Sequence, residues 1–222
     1  MNLEVVYTSD SSLTLYNRRL DEHYHSVHGA RNESLHVFIN SGLNESSASP
    51  ITIYEVGFGT GLNAMLAIEW AEKNKQKINY IAVEKYPISK ELVEMLSKQK
   101  SVDAELYCRI HSKECIDKTI GVGEYADFHL VHDDCTTLNL SVIPYFDVIF
   151  FDAFAPDKEM DDKGLWGEEH FQKIYNHTNT NGIFVTYCAK GVVRRSLAQV
   201  GFNMERIPGP AGKREMLRGR KT

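Results

Sequence analysis

Residues 51–66 read ITIYEVGFGTGLNAML and carry the strongest fold signal in the chain. The first seven residues form an apolar, β-branched and aromatic run that stops at Gly57, which predicts a buried strand. From residue 62 to residue 73 the apolar residues recur at helical spacing, which predicts a helix packed on a sheet. A strand, a glycine-rich turn and a helix in this order form the unit at which doubly wound sheets bind nucleotides.

The same alternation continues along the chain. We predict further strands at 79–85, 127–132, 145–154 and 181–188, and helices at 88–99, 166–177 and 192–199. Residues 202–207 and 215–218 then form a terminal hairpin, whereas the segment 102–125 indicates no clear element. The pattern predicts an α/β, Rossmann-like fold with helices on both faces of a seven-stranded, mostly parallel sheet that has one antiparallel C-terminal strand.

The length of 222 residues suits one domain, which a Ser- and Asn-rich loop at 40–50 divides into an N-terminal segment, 1–50, and a core, 51–222. No apolar run is long enough to span a membrane, and the polar N-terminus lacks a signal-peptide core. We therefore expect a cytoplasmic protein. The four cysteines form no CxxC pair, which argues against a zinc or redox motif.

Charge is unevenly distributed in this chain. The formal net charge is −5, yet residues 190–222 hold nine Lys and Arg residues against two acidic ones. A basic end on an acidic chain indicates a polyanion-binding face, although a charged terminus is also often just a solvated one.

The glycine turn follows a GxGxG spacing with an acidic residue before it, whereas a dinucleotide-binding turn has GxGxxG. A carboxylate at this position can support a cationic ligand but would repel a pyrophosphate. Glu84 ends the second strand, where it can accept both ribose hydroxyls of an adenosine. Asp133 and Asp134 end the third strand, and of the two we favour Asp134 for the adenine amino group. The predicted cofactor contacts are Glu55, Gly57, Phe58, Gly59, Thr60, Gly61, Asn63, Glu84, Lys85, Asp133, Asp134, Asp152 and Phe154.

The stretch FFDAFAPDK, residues 150–158, contains the main catalytic candidate. Asp152 follows an apolar strand and so emerges at the carboxyl edge of the sheet, where a carboxylate can hold and deprotonate an amine. The alternative is that Asp152 simply ends its strand. Phe154 is a candidate for packing on a substrate base, and Lys158 for contacting a phosphate.

With these residues in view, the chain resembles the MnmC-type tRNA methyltransferases, a family of class I S-adenosylmethionine-dependent enzymes. The motifs that carry the resemblance are EVGFGTGLNAML, VEKYP, DAFAPDKEMDDKGLW, GVVRRSLAQVGF and GKREMLRG. The family converts 5-aminomethyl-(2-thio)uridine at the tRNA wobble position into its 5-methylaminomethyl form. The resemblance implies that Gly57, Gly59, Gly61, Glu84 and Asp134 hold the cofactor.

The resemblance also assigns Asp152 as the catalytic or amine-orienting residue. It places four basic residues against the anticodon stem-loop: Arg194, Arg195, Lys213 and Arg214. Many relatives carry an FAD-dependent oxidase after the methyltransferase. Because this sequence ends at Thr222, we expect a stand-alone methyltransferase.

The N-terminal segment contains three histidines, His23, His25 and His28, whose spacing is poor for a metal site. We therefore expect no metal, and place Tyr24 and His25 on the substrate side. Two rival functions stay open. One is a class I methyltransferase acting on another RNA or a small amine. The other is an NAD-dependent oxidoreductase or a nucleotide-binding protein without catalysis.

Overall fold

A computed structural model describes residues 3–99, 102–116, 118–156 and 164–222 of the chain. Eleven strands occur in the described residues, and the first three form a small antiparallel sheet. These three strands are β1 (Leu3–Tyr7), β2 (Leu13–Asn17) and β3 (Glu22–His23). The other eight form the main sheet: β4 (Ile51–Val56), β5 (Ile78–Val83), β6 (Ile120–Val122), β7 (Ala126–Val131), β8 (Phe146–Phe151), β9 (Thr178–Thr186), β10 (Asn203–Pro208) and β11 (Glu215–Arg220).

Strands of the main sheet follow the order β10-β11-β9-β8-β4-β5-β7-β6. The five central strands are parallel, and β11 runs antiparallel between β9 and β10. This arrangement confirms the Rossmann-like class I methyltransferase fold with its late antiparallel strand. The predicted count of seven strands was wrong by one, because β6 adds an antiparallel edge strand. It has only three residues, too few for an alternating pattern to be visible in the sequence.

Six α-helices accompany the strands in the described residues: α1 (Ala30–Ser34), α2 (Leu62–Asn74), α3 (Lys90–Leu96), α4 (Ala104–Ile110), α5 (Glu168–Asn176) and α6 (Gly191–Gln199). Helix α1 continues into one stretch of π-helix, Leu35–Asn40, and short 3-10 turns occupy Leu43–Glu45 and Leu140–Val142. Among the described residues, no helix combines the length and the apolar character that crossing a bilayer requires.

Two element boundaries differ from the prediction for identifiable reasons. The helix predicted at 88–99 begins only after Ser89, whose Oγ accepts a hydrogen bond from the Leu92 amide at 3.4 Å. Serine caps a helix in this way and so fixes its first residue. The strand predicted at 181–188 already starts at Thr178, because the polar TNTN sequence, which resembles a turn, continues the β9 ladder past a bulge.

Helices cover both faces of the main sheet. Side chains from α2, α3, α4 and the π-helical stretch pack into one core, and those from α5 and α6 pack into the other. The N-terminal segment contributes to the first core: the Phe38 ring lies 5.2 Å from that of Phe150, centroid to centroid. Leu15 and Leu43 are completely buried in the same cluster. Side chains of the N-terminal segment thus pack in the same core as one face of the sheet.

Candidate functional site

A cavity of about 410 Å³ opens at the carboxyl edge of the parallel strands. It lies beyond the ends of β4, β5, β7 and β8, which is where doubly wound sheets bind their ligands. The sheet side of its lining includes Gly57, Phe58, Gly59, Thr60, Glu84, Lys85, Asp133, Asp134, Asp152, Phe154 and Tyr187. The N-terminal side contributes Asn17, Arg19, Leu20, Tyr24 and His25. The structure thus brings most of the predicted site residues to one place.

The glycine turn between β4 and α2 depends on the absence of side chains. Gly57, Gly59 and Gly61 all adopt positive φ angles, of 88°, 54° and 75°, a region that favours glycine. A Cβ on Gly57 would also lie only 2.8 Å from the Asp152 carbonyl oxygen. The turn therefore passes directly against the candidate catalytic residue.

Glu84 holds the glycine turn at the end of β5. Its Oε2 accepts a hydrogen bond from the Gly59 amide at 2.9 Å, and its Oε1 accepts one from the Tyr86 amide at 2.8 Å. A carboxylate oxygen can accept more than one hydrogen bond, so Glu84 retains capacity for a ligand in the cavity.

Glu55 and Asn63 are buried, and they form a polar cluster with the half-buried Asp152, which lines the cavity. Asn63 Nδ2 donates to Glu55 Oε1 at 2.9 Å and to Asp152 Oδ2 at 2.7 Å. Burial raises the pKa of Asp152 to about 8, although the hydrogen bond from Asn63 acts in the opposite direction. Burial likewise raises the pKa of Glu55 well above its ordinary value. Asp152 lines the cavity, and a carboxyl group with such a pKa at such a place is a candidate for proton transfer near neutral pH.

The chain after Asp152 is fastened at several points. The Asp152 amide donates to the Val56 carbonyl at 2.9 Å. The Tyr187 hydroxyl donates to the Ala153 carbonyl at 3.0 Å, and Trp166 Nε1 donates to the Phe154 carbonyl at 2.8 Å. These bonds fix the direction in which Asp152 and Phe154 face the cavity.

The N-terminal segment closes the side of the cavity opposite the sheet. The Tyr24 ring packs on Gly59, where an added Cβ would lie 3.0 Å from Tyr24 Cδ1. Its ring also meets the Phe154 ring edge to face, with the centroids 5.1 Å apart. His25 is buried, and its Nδ1 lies 2.9 Å from Thr14 Oγ1. Tyr24 and Phe154 together form one aromatic wall.

The other two histidines of this segment have neighbours of their own. The His23 ring lies 4.8 Å from the Tyr16 ring, and the His28 ring approaches Gly212. The described residues contain no group of three His, Cys, Asp or Glu side chains placed to hold a metal ion.

Two adjacent acids stand at the end of β7, and they differ in their partners. Asp134 Oδ2 pairs with Lys85 Nζ at 3.0 Å, and its Oδ1 accepts from the Thr136 amide and hydroxyl. Burial works to raise the pKa of Asp134, but these hydrogen bonds and the Lys85 charge outweigh it and hold the pKa below its ordinary value. Asp133 accepts only the Asp134 amide among the hydrogen bonds described, at 2.7 Å through Oδ1.

The predicted basic strip divides into two kinds of residue. Lys213 is engaged inside the protein, because its Nζ lies 2.6 Å from Glu33 Oε1 and 4.0 Å from the centre of the Tyr187 ring. Arg195 and Arg214 are exposed, and Arg194 is half-buried. None of these four lines the cavity as described. Lys158 lies outside the described residues.

Tyr107 of α4 and His111, the residue that follows this helix, support the glycine turn, and the sequence did not reveal them. The Tyr107 hydroxyl donates to the Thr60 carbonyl at 2.7 Å, and His111 Nε2 lies 3.1 Å from the same oxygen. Burial lowers the pKa of His111 to about 4. They fall in the segment that had no clear element. Tyr187 was also missed, although its position just after β9 places it at the carboxyl edge.

The charged residues that line the cavity favour S-adenosylmethionine over a dinucleotide as the cofactor. Glu84, Asp133 and Asp134 line it beside the cations Lys85 and Arg19. Because Lys85 already pairs with Asp134, a pyrophosphate at the start of α2 would meet mainly carboxylates. Asn63 Oδ1 is buried without a hydrogen-bond partner among the described residues. It is an acceptor, so it would pair with an N–H donor and not with a phosphate oxygen, although Asn63 itself does not line the cavity. S-adenosylmethionine has a sulfonium and an ammonium group and therefore fits, whereas a dinucleotide does not.

Known proteins have sequences similar to this chain. Relatives from Leptospira borgpetersenii and Marinomonas sp. are named tRNA 5-methylaminomethyl-2-thiouridine biosynthesis bifunctional protein MnmC. The Leptospira relative is 30% identical over 225 residues, which cover 95% of this chain and 34% of the relative. The Marinomonas relative is 31% identical over 228 residues, which cover 92% of this chain and 32% of the relative. The chain thus spans about a third of the length of these relatives.

A solved structure and a family model extend the comparison. The crystal structure of MNMC2 from Aquifex aeolicus is 26% identical, has a TM-score of 0.75, and matches over 98% of this chain and 70% of that chain. Residues 84–222, more than half of the chain, match the family model described as S-adenosyl-L-methionine-dependent methyltransferase. With this match and a cavity whose charges suit the cofactor, the chain belongs to the S-adenosyl-L-methionine-dependent methyltransferase family.

Proposed function

We propose that this protein methylates the primary amine of 5-aminomethyl-(2-thio)uridine at the tRNA wobble position, giving the 5-methylaminomethyl form. The observation that carries the proposal is the position of Asp152, on the cavity floor beside the glycine turn and below the aromatic wall of Tyr24 and Phe154. The names of the bifunctional relatives support this substrate. We assign the methyl-transfer step to this chain because its family match is to methyltransferases.

The residues around the glycine turn would hold the cofactor. The turn itself lets the backbone approach the ligand closely, and Glu84 has acceptor capacity for the ribose hydroxyls. We assign the adenine amino group to Asp133, whereas the sequence favoured Asp134. Asp134 already has three partners, the Lys85 ammonium and the Thr136 amide and hydroxyl, whereas Asp133 Oδ2 accepts none of the hydrogen bonds described. When bound, S-adenosylmethionine supplies a methyl group on a sulfonium, which a nitrogen lone pair can displace.

Asp152 would orient the amine and accept its proton. Asn63 occupies Oδ2, which leaves Oδ1 as the oxygen that can accept an N–H from the substrate. With one N–H held in this way, the nitrogen lone pair has a defined direction, as in-line transfer requires. The pKa of about 8 makes Asp152 a stronger base than an ordinary carboxylate, so it can take a proton from the amine.

The aromatic wall gives the cavity its preference for a planar base. The rings of Tyr24 and Phe154 stand nearly perpendicular, at 82° to each other. A pyrimidine can therefore stack on one ring and meet the edge of the other, which is how unstacked RNA bases are commonly recognised.

The RNA backbone would contact α6 and the loop before β11. Helix α6 starts only a few residues after Tyr187 of the cavity lining, so its first turns lie at the same edge of the sheet. Arg195 and Arg214 are exposed there, and Arg194 Nε is buried without a hydrogen-bond partner among the described residues. Guanidinium groups bind phosphates in two-pronged hydrogen bonds, which suits an anticodon stem-loop.

The test is methyl transfer from labelled S-adenosylmethionine to tRNA from cells that lack wobble-uridine methylation, followed by nucleoside mass spectrometry. We expect one added methyl group on aminomethyl-uridine. The matched control is Asp152→Ala, which should bind the cofactor in a direct binding assay but transfer no methyl group. Label in another RNA or in a small amine, with none in this nucleoside, would overturn the substrate and retain the methyltransferase.

A further inference from the structure

One amide nitrogen holds two carboxyl groups, that of the buried Glu55 and that of the half-buried Asp152. Asn63 Nδ2 lies 2.9 Å from Glu55 Oε1 and 2.7 Å from Asp152 Oδ2. A side-chain amide nitrogen has two hydrogens, and these contacts use both of them. We propose that Asn63 is a positioning residue for methyl transfer, whose amide fixes Asp152 toward the substrate amine and separates it from Glu55.

The local fold explains why an asparagine can do this. Asn63 is the second residue of α2, a helix that starts directly after the left-handed Gly61, and the residue is 2% exposed. At this point the side chain lies between the ends of β4 and β8, from which Glu55 and Asp152 project. The α2 N-terminus also favours nearby negative charge through its dipole. Asparagine supplies donors here without adding a charge.

A simple space-filling role does not account for the whole arrangement. Asn63 Oδ1 is buried without a hydrogen-bond partner among the described residues, and an unsatisfied buried acceptor destabilises a fold. Such an atom is expected where a ligand completes the hydrogen bonding. Both groups that Asn63 does contact are acidic, and one of them lines the cavity. The side chain therefore serves the cavity as well as the core.

Removing the amide would change the protonation of the pair. Without the amide, Asp152 loses the hydrogen bond from Asn63 that lowers its pKa, while burial and Glu33 still raise that pKa and Lys213 lowers it. Glu55 keeps the neighbouring Tyr80 hydroxyl, which also lowers its pKa. At neutral pH a larger fraction of Asp152 would then already carry a proton, and a protonated Asp152 cannot accept one from the amine. Asn63→Asp tests the same idea at constant shape, because it replaces the donor by a third acid.

The first experiment measures the titration of Asp152 directly, in the protein without any ligand. Carbon-13 NMR of labelled aspartate carboxyl groups, assigned with Asp152→Asn, follows its titration. We expect a midpoint near pH 8 in the unmodified chain and a shift to higher pH in Asn63→Ala. An unchanged midpoint in Asn63→Ala would overturn the proposal. Asn63→Ser, which keeps one donor, replaces Asn63→Ala if the alanine variant does not fold and should shift the midpoint in the same direction by less.

The second experiment is a double-mutant cycle in methyl transfer, and it rests on the proposed function. We expect Asn63→Ala to lower kcat roughly 10- to 100-fold and to move the acid limb of the pH profile upward. In an Asp152→Asn background the same change should have little further effect, because Asn63 acts through Asp152. If Asn63→Ala lowered kcat by the same factor in both backgrounds, the two residues would act independently, and the role of Asn63 would be overturned.

The two experiments separate this inference from the substrate assignment. An unmodified chain that methylates no wobble uridine would overturn the proposed substrate, while the NMR titration would still decide whether Asn63 controls Asp152. Asn63→Asp should be at least as inactive as Asn63→Ala despite its matching shape. Normal turnover in Asn63→Asp would show that only the shape of the side chain matters, and would overturn the proposal.

Discussion

Lys213 Nζ lies 2.6 Å from Glu33 Oε1 and so joins the last loop of the chain to its first helix. The Glu33 side chain is only 9% exposed, and its Oε2 also accepts a hydrogen bond from the Ser26 amide at 2.7 Å. The same ammonium group lies over the ring of Tyr187, which lines the cavity. The ion pair therefore secures the N-terminal segment beside the site.

We expect Lys213→Met to destabilise the fold, since it leaves the Glu33 carboxylate buried without its cation. Complete loss of a buried partner costs about 3–5 kcal/mol, and partial exposure of Lys213 reduces our expectation to about 1–3 kcal/mol. Urea unfolding measures the change. Arg18→Met, which breaks an exposed pair with Glu4, is the matched control and should cost under about 1 kcal/mol. Equal losses of unfolding free energy in the two variants would show that the Lys213–Glu33 pair stabilises the fold no more than an exposed pair does.

Arg194 and Arg195 should behave differently from Lys213 in RNA binding. Replacing both by Gln should weaken tRNA binding and reduce the slope of log affinity against log salt by about 1.5. Lys213→Met should leave that slope nearly unchanged, because Glu33 already neutralises the lysine. Lys73→Gln with Lys75→Gln removes the same charge at the far end of α2 and is the control. A reduced slope in the control or in Lys213→Met would show that the RNA contacts a surface other than the one around Arg194 and Arg195.

The sheet and the cofactor side of the site could be predicted because their signals are local. A carboxylate that directly follows a predicted strand lies at the carboxyl edge of the sheet, whichever strands pair beside it. Glu84 and Asp152 were identified in this way. The other wall depends on contacts between distant parts of the chain. Glu33 and Lys213 are 180 positions apart, and no pattern near either residue indicates the other. Asn17 and Leu20 reach the cavity only because a small antiparallel sheet docks there.

Asp152 should make the fold less stable as the pH rises. Its pKa is about 8 in the folded protein against an ordinary value of 3.8, so folding takes up a proton between these two values. Within that window Asp152 is ionised in the unfolded chain but still protonated in the folded protein, so the free energy of unfolding falls progressively as the pH rises. Asp152→Asn removes this cost. We expect its melting temperature to exceed that of the unmodified protein more at pH 8 than at pH 5, while methyl transfer falls to a low residual rate.

Asp10 provides a control of opposite sign. Burial works to raise the pKa of Asp10, but hydrogen bonds from Ser12, Thr8 and the Asn32 amide lower it below the ordinary value. A carboxyl group of this kind stabilises the fold above its unfolded pKa and loses the effect in acid. Asp10→Asn should therefore lower the melting temperature at pH 7 and have less effect at pH 3. A uniform effect of either variant across pH would contradict the assigned shifts.

Cofactor binding should depend on pH differently for the substrate and product forms of the cofactor. S-adenosylmethionine has a sulfonium charge that S-adenosylhomocysteine lacks, whereas both have the same ammonium group. The sulfonium favours the ionised forms of Glu55 and Asp152, whose pKa values burial raises. The ratio of the two affinities cancels the titration of the shared ammonium group. We expect this ratio to rise in favour of S-adenosylmethionine from pH 6 to pH 9, by up to about tenfold per pH unit for each linked proton. Calorimetry with both ligands measures it, and Asp152→Asn should flatten the rise; a ratio that stays constant with pH in the unmodified chain would mean that neither carboxyl group senses the sulfonium.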